Sequence, residues 1–139
     1  GLDAAKDTAL TRAGVAPELA SWTELDTEYD NGRLEYKLEF WAGQVEYEYE
    51  IDGATGEITK EKWENHGLTG STEDLGEAAA RAAALAHAGL AENQVSALKT
   101  ERELENGLVE YEIEFWVGRE EYEYEISGAG NILKYKRER

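Results

Sequence analysis

The sequence contains the same run of residues twice, and this repetition constrains the fold more than any other feature. FWAGQVEYEYEI begins at Phe40, and FWVGREEYEYEI begins at Phe115, 75 residues later. The two halves of the chain align around these runs, and we expect that offset to hold without an insertion or deletion. Repetition at a fixed offset is typical of a duplicated structural unit. The sequence therefore predicts two copies of one fold.

The composition excludes several classes of partner. The chain has 139 residues, with 31 acidic against 14 basic side chains and a formal charge of −17. We therefore expect no nucleic-acid partner and no anionic membrane partner, because no basic stripe could neutralise their phosphates. The absence of cysteine excludes disulfides and thiol chemistry. No apolar run reaches the length of a transmembrane segment.

Methionine is absent from the chain, even at position 1. We therefore expect that a start has been removed, and a cleaved secretory signal or lipoprotein leader would fit.

An alanine-rich helix is predicted at the start of each copy. In the first copy, apolar residues recur at helical spacing from Leu2 to Ala13, and Gly14 stands where a left-handed cap would end the helix. In the second copy, Ser71 and Asp74 predict a capping box, and Gly89 ends the helix. Small alanine side chains would let each helix lie close to a sheet.

After each helix the apolar period changes from about 3.6 residues to two, which predicts antiparallel strands with one buried face. Asn31-Gly32 and Asn106-Gly107 predict two-residue hairpin turns. Ala42-Gly43 and Val117-Gly118 are predicted to form the next reversals. The fold class is therefore α+β, with two repeats that each pack one helix on an antiparallel sheet of three to four strands. The predicted boundaries are residues 1–64 for the first repeat, 65–71 for a linker and 72–139 for the second.

The predicted register creates an outer sheet face that is rich in glutamate. With the second turn at Ala42-Gly43, Glu39 should lie opposite Glu46, and Lys37 opposite Glu48 should be the only favourable pair in the first copy. By the same alternation, both Trp41 and its counterpart in the second copy point outward. The residues expected to bind a partner are Trp41, Trp116, Glu39, Glu46, Glu48, Glu114, Glu121 and Glu123.

Three interpretations of this face are open. It could be a solvated face that only keeps the protein soluble. It could instead bind a protein, with the tryptophans as apolar anchors and the glutamates steering a basic partner. Calcium is the least favoured, because a hard cation needs a converging cage of oxygens. Trp41 and Trp116 could also fold over their turns, whereas Trp22 and Trp63 lack tryptophan counterparts and are expected to serve packing between the copies.

No catalytic residues, metal site or cofactor are predicted. The two histidines, His66 and His87, lack spaced partners for a metal site. Glutamates on a flat, exposed sheet face lack the burial that would raise one pKa for acid–base work. The chain is therefore not expected to be an enzyme.

Three runs of the first copy form a recognisable pattern: Ala13–Val15 at the end of the helix, NGRLEYKLEF over Asn31–Phe40 and YEYEIDGATGEI over Tyr47–Ile58. This pattern resembles the PepSY domain, a family named for its occurrence in peptidase propeptides. The resemblance covers Asp3–Trp63 and Leu75–Lys136. The second copy departs from the pattern in the third turn, where Ser127, Gly130 and Asn131 are aligned with Asp52, Thr55 and Gly56.

The resemblance implies a helix on an antiparallel sheet, usually in secreted or envelope-attached bacterial proteins, with a proposed role in binding or restraining peptidases. The expected function is a non-enzymatic, extracytoplasmic protein-binding module that inhibits or regulates a peptidase. The alternative is a structural or spacer module of the bacterial cell envelope, and calcium binding is less favoured than either.

Overall fold

The computed structural model describes residues 1–139, which cluster into two compact units, Gly1–Glu64 and Asn65–Arg139. Each unit has one α-helix, a short 3-10 helix and four β-strands, so the mixed α+β class is confirmed. Neither helix is long and apolar enough to cross a membrane. The first unit contains α1 (Leu2–Ala13), β1 (Ser21–Asp30), β2 (Arg33–Ala42), β3 (Val45–Asp52) and β4 (Ile58–Asn65). The second contains α2 (Glu77–Ala88), β5 (Ser96–Glu105), β6 (Leu108–Val117), β7 (Glu120–Ser127) and β8 (Ile132–Glu138).

Each helix buries a stripe of alanine against the strands of its own unit. Ala5 and Ala9 of α1 are buried one turn apart, and Ala80 and Ala84 of α2 repeat that spacing. Such small side chains let the helix backbone approach the strands closely. Both helices end where predicted, because the glycine that follows each adopts a left-handed conformation, with φ of 69° in α1 and 71° in α2.

The predicted capping box at the start of α2 is wrong. The residue at the N-cap is Gly76, whereas Ser71 pairs its backbone with Val109 of β6. The side chain of Asp74 accepts a hydrogen bond from Tyr111 of β6 at 2.6 Å instead of capping the helix. Ser71 and Asp74 have the sequence spacing of a capping box, but the Ser71 backbone and the Asp74 side chain form hydrogen bonds with β6 instead.

The same aromatic stack forms the core of each unit. Phe40 stacks on Tyr47 with ring centroids 5.0 Å apart, and Phe115 stacks on Tyr122 at the same separation. Both phenylalanines are fully buried beneath their helix. Duplication of the sequence has therefore duplicated the packing as well as the backbone.

Trp22 completes the core of the first unit. Its ring is half-buried and lies 4.8 Å from that of Phe40, and the ammonium of Lys6 lies 5.0 Å from its centroid. The expectation that Trp22 serves packing between the copies is therefore wrong. Its position in β1 opposite Phe40 places the ring on the helix face of its own sheet.

The Asn-Gly hairpins have the predicted register. Asn31 and Gly32 have φ of 51° and 77°, as a type I′ turn requires, and Tyr29 lies opposite Leu34. The second unit repeats these dihedral angles at its own Asn-Gly turn, with φ of 52° and 76°. Both hairpins therefore place their apolar residues on the helix side of the sheet.

The next turn lies one residue later than predicted. Ala42 pairs with Val45, so the two turn residues are Gly43 and Gln44. Gly43 has φ of 60°, and a glycine at the first central position is typical of a type II′ hairpin turn. Each residue of β2 therefore faces a β3 residue two positions further along than predicted, although the inner and outer faces are unchanged. The second unit has the same shift, with Gly118 at φ 59°.

The third turn differs between the units. In the first unit, the backbone N–H of Asp52 donates to the carbonyl of Glu57, five residues later, at 2.8 Å. In the second, Ser127 donates to Asn131, four residues later, at the same distance. The second turn is one residue shorter, so the prediction of an ungapped repeat is wrong here.

The shorter turn changes which residues correspond. Gly56 matches Gly130, since both have positive φ, 76° and 91°, at the same point of the turn. Beyond this turn the offset between the copies is 74 residues. Trp63 therefore corresponds to Arg137.

One helix-to-sheet contact differs in chemistry between the units. In the first unit, Arg12 of α1 forms two hydrogen bonds of 2.7 and 2.8 Å with Glu61 of β4, whose side chain is buried. At the corresponding positions in the second unit, the His87 ring packs on Tyr135 with centroids 4.7 Å apart. Nδ1 of His87 also lies 2.8 Å from the hydroxyl of Tyr124. An ion pair has thus been exchanged for an aromatic contact.

Candidate protein-binding face

In each unit, the sheet surface opposite the helix carries a dense array of charged side chains, most of them glutamates, and we call it the acidic face. In the first unit it comprises Glu24, Asp26, Glu28, Glu35, Lys37, Glu39, Trp41, Glu46, Glu48, Glu50, Lys60 and Lys62. In the second unit it comprises Lys99, Glu101, Glu103, Glu110, Glu112, Glu114, Trp116, Glu121, Glu123, Glu125, Lys134 and Lys136.

The tryptophans lie on this face at the end of the β2–β3 and β6–β7 hairpins. Trp41 is half-buried and pairs across the hairpin with Glu46. Trp116 pairs with Glu121 and is 39% exposed. Each unit therefore brings its predicted binding residues together on one surface, with the indole beside carboxylates.

The cross-strand charge pairs differ from those predicted because of the turn shift. Glu39 faces Glu48 rather than Glu46, and in the second unit Glu114 faces Glu123. Like charges directly opposite one another destabilise a sheet. Glutamates therefore still lie directly opposite glutamates and repel one another, although the paired residues differ from those predicted.

The last strand of each unit contributes lysines that the sequence prediction did not place on this face. Lys60 of β4 lies 3.2 Å from Glu48 and 3.5 Å from Glu50. In the second unit, Lys134 and Lys136 of β8 lie opposite glutamates of β7. Lys37, which faces Glu50 and not Glu48, is therefore not the only favourable partner in the first unit. The acid excess is greatest away from β4 and β8.

Two carboxyl groups on the acidic face have strongly raised pKa values. The pKa of Glu24 is raised to about 7, chiefly by a shared hydrogen bond with Asp26 and then by desolvation and the nearby Glu39. The pKa of Glu121 is also raised to about 7, chiefly by a shared hydrogen bond with Glu123. Carboxylates held this close together favour retaining a proton, because that proton both bridges them and removes a repulsion. Glu24 was missed in the sequence, although acidic residues alternate along β1.

These raised pKa values predict that the protein is more stable at pH 5 than at pH 8. A carboxyl whose pKa is raised in the folded state stabilises the fold below its ordinary value of 4.5, and this contribution is lost as the pH rises through about 7. We expect the melting temperature measured by calorimetry to rise by about 5 °C between pH 8 and pH 5. Glu121→Gln should raise the melting temperature at pH 8 and reduce the pH dependence. A melting temperature that falls over this range would contradict the prediction.

Below about pH 4 the trend should reverse. Backbone N–H groups of Thr55 and Ala54 hold the pKa of Asp52 below its ordinary value, and the Tyr111 hydroxyl does the same for Asp74. Groups with lowered pKa values stabilise the fold above their ordinary value, and this is lost as the pH falls through the lowered one. The pH of greatest stability should therefore lie near 5.

The acidic face has a shallow, open depression rather than an enclosed binding site. A depression of about 170 Å³ in the second unit lies over the inner residues Ile113 and Tyr124 and is bordered by glutamates and lysines. Glu101, Glu103 and Glu112 bring carboxylate oxygens within 4.8 Å of one another, but the first two are exposed. Calcium usually takes six to eight oxygen ligands, so three carboxylates would leave much of its shell to water.

Comparison with known proteins gives one structural neighbour and one family match. No curated protein matches the sequence. A crystal structure from Clostridium difficile 630, provisionally described as a lipoprotein, is 21% identical, with a TM-score of 0.38 over 96% of this chain and 90% of that chain. Residues 2–62, nearly all of the first unit, match the family model of the peptidase propeptide and YPEB domain, PepSY.

Proposed function

We propose that this chain is a non-enzymatic, extracytoplasmic binding module that inhibits or regulates a peptidase. The observation that carries the proposal is the match of residues 2–62 to a family described by its occurrence in peptidase propeptides. A propeptide-type domain acts by contact with a peptidase rather than by chemistry of its own. We also propose that the second unit is a second PepSY-like copy, since it repeats the core stack and the first two hairpin turns.

The acidic face is the proposed contact surface. Trp116 is exposed beside Glu121, and tryptophan is among the residues that most often dominate binding energy. The surrounding glutamates would speed the approach of a partner with a basic rim and make the association sensitive to salt. Trp41 occupies the same place in the first unit.

The alternative is a spacer of the bacterial cell envelope in which the acidic face only keeps the protein soluble. The lysines of β4 and β8 favour this alternative, because they neutralise part of the face internally. Charged residues of mixed sign are typical of an ordinary solvated sheet surface.

The two functions are separated by a peptidase assay. The purified chain is added to secreted and envelope fractions at low and high salt, and proteolysis of a labelled casein is followed. We expect inhibition that weakens at high salt and that falls at least about 30-fold in potency for the double variant Trp41→Ala, Trp116→Ala. Tyr29→Ala is the matched control, because Tyr29 is 77% exposed but lies on the helix side of the sheet. Unchanged proteolysis would favour the spacer, and equal potency of the tryptophan variant would exclude the proposed anchors.

A further inference from the structure

In the first unit, a lysine holds the centre of a group of carboxylates on the acidic face. The ammonium of Lys37 in β2 lies 3.3 Å from a carboxylate oxygen of Glu28 in β1 and 3.8 Å from one of Glu50 in β3. Asp26 lies directly opposite it in β1. The hydrogen bond to Glu28 raises the pKa of Lys37, so these carboxylates stabilise its charged form. One cation is therefore bound by acidic residues from the strands on both sides of it.

The second unit has a glutamate, Glu112, at the position of Lys37. Its neighbours across β5 and β7 are also glutamates. The acidic residues around the lysine all have acidic counterparts, with Asp26, Glu28 and Glu50 matched by Glu101, Glu103 and Glu125. The second unit thus retains the carboxylates that bind an ammonium in the first unit, but it has a further carboxylate in place of that ammonium.

The glutamates of the second unit lie close together without a cation between them. Carboxylate oxygens of Glu101, Glu103 and Glu112 lie within 4.8 Å of one another. No basic side chain forms an ion pair with Glu103 or Glu112. The pKa of Glu112 is raised, first by desolvation and then by the charges of Glu103 and Glu125. A cation at this point would relieve that repulsion.

The neighbouring lysines of the second unit lie at the margins of this group. Lys99 lies 3.5 Å from Glu101, but its side chain is 63% exposed, and exposed ion pairs contribute little. Lys134 of β8 lies opposite Glu125, on the far side from β5. Neither lysine takes the central position that Lys37 takes in the first unit.

The surface beside this group has room for an incoming side chain. The depression of about 170 Å³ on the acidic face of the second unit is bordered by Glu112 and Glu125. It is open to solvent, so a long side chain from another protein could reach the carboxylates without a change in the backbone.

We propose that Glu101, Glu103, Glu112 and Glu125 bind the ammonium or guanidinium group of a lysine or arginine side chain from a partner protein. The first unit already holds such a group, Lys37, between the matching carboxylates. A guanidinium would also form charge-assisted hydrogen bonds with two oxygens at once. Calcium is a poorer occupant, because it needs more oxygen ligands from a converging cage.

This inference rests on the proposed function in that the partner is the protein that contacts the acidic face. It adds a site for a basic side chain, in the second unit only, to the apolar contact at Trp116. Glu112 and Trp116 lie four residues apart on the same face of β6, which is about 13 Å along a strand. The partner should therefore present a basic and an apolar group at about that separation.

The test uses the full-length chain labelled with ¹⁵N and the blocked tripeptide GRG, at an ionic strength of about 0.1 M. We expect saturable shifts of the amide signals of Glu101, Glu103 and Glu112, with a Kd of about 1–10 mM, because several exposed ion pairs converge on one cation. The tripeptide GKG should cause the same shifts. The neutral tripeptide GQG should not, and calcium chloride should bind more weakly than GRG.

Glu112→Lys copies the first unit and should abolish these shifts, because the new ammonium occupies the site. It should also raise the melting temperature by about 2–4 °C, which confirms that the variant is folded and its lysine paired. The matched control is Glu92→Lys, which makes the same change in net charge on the helix side, 3.9 Å from Arg81 of α2. It should leave the Kd for GRG within about twofold.

The reverse exchange tests the comparison between the units. Lys37→Glu removes the cation from the first unit and should create a second set of saturable shifts there, around Glu28 and Glu50. If no second set appears, the carboxylates of the first unit do not form such a site without their lysine, and the inference loses its basis.

The proposal is overturned if no shifts occur at about 50 mM GRG, or if Glu112→Lys binds GRG as the parent chain does. It is also overturned if GQG causes the same shifts, or if calcium binds more tightly than GRG. In the peptidase assay, Glu112→Lys should weaken inhibition about tenfold. Inhibition that this variant leaves unchanged would refute the inference but not the proposed function, whereas GRG binding without any inhibition would refute only the proposed function.

Discussion

Phe40→Ala is expected to lower the free energy of unfolding of the first unit by about 3–5 kcal/mol. The ring is fully buried between α1 and the sheet, and it contacts Trp22 and Tyr47. Its removal would leave a cavity that the flanking aromatic rings could fill only in part. A unit of this size has a marginal core, so the loss should unfold much of it under mild conditions. Guanidinium denaturation followed by far-UV circular dichroism and tryptophan fluorescence measures the change.

Two variants serve as controls for this result. Phe115→Ala removes the equivalent ring of the second unit, which has the same stack, and should have a similar cost. Tyr29→Ala removes an exposed ring of the first unit and should change stability by less than about 0.5 kcal/mol. A cost below about 1.5 kcal/mol for Phe40→Ala would contradict the assignment of this residue to the centre of the core.

Arg12→Ala should have the next largest effect, about 2–3 kcal/mol, because it removes a bidentate partner from a buried carboxylate. Glu61 is only 2% exposed, so water cannot replace both hydrogen bonds without local opening. Half of the Arg12 side chain is exposed, at 52%, which keeps the expected cost below that of a fully buried pair. The same denaturation measurement applies.

The second unit supplies a rescue variant for this prediction. Arg12→His combined with Glu61→Tyr copies the contact between His87 and Tyr135, and it should recover most of the lost stability. Arg12→His alone should remain destabilised, because a single imidazole cannot bind the carboxylate in a bidentate fashion. If the double variant is no more stable than Arg12→Ala, the two contacts are not interchangeable.

The sequence predicted the features that depend on local chemistry. Asn31-Gly32 fixed the register of the first hairpin, because both residues must adopt positive φ there. The period-two alternation placed Phe40 in the core and Trp41 on the opposite face. Helix ends at Gly14 and Gly89 followed from the ease with which glycine adopts a left-handed conformation.

The predictions of turn position failed where two different turns were equally compatible with the alternation of apolar and polar residues. A turn at Ala42-Gly43 and one at Gly43-Gln44 preserve the same faces, so the alternation could not distinguish them, and only the φ of Gly43 decides. The third turn is one residue shorter in the second unit than in the first. Because both turns contain glycine, their sequences align acceptably without a gap, and the difference could not be detected. An alignment without that gap matches Lys134 with Thr59 rather than with Lys60, because a one-residue offset moves every side chain to the opposite face.

For the candidate site, the period-two alternation predicted only the face of the sheet on which each residue lies. Trp41 and Trp116 and the six glutamates lie on the expected face of their own units. The hydrogen bonds of Asp74 to Tyr111 and Arg102 join residues 37 and 28 positions apart, and no periodicity indicates such contacts. Such contacts can be identified only when the positions of the strands in the fold are known.

The exchange of an ion pair for an aromatic contact has a consequence for how the duplicated chain assembles. The buried stripes of the two helices are nearly the same, Ala5, Ala9 and Leu10 against Ala80, Ala84 and Leu85. Either helix could therefore dock on either sheet as far as shape is concerned. If α2 docked on the first sheet, however, Glu61 would be buried opposite a histidine instead of its arginine, at a cost that correct docking avoids. The buried ion pair is therefore expected to favour docking of each helix on the strands of its own unit.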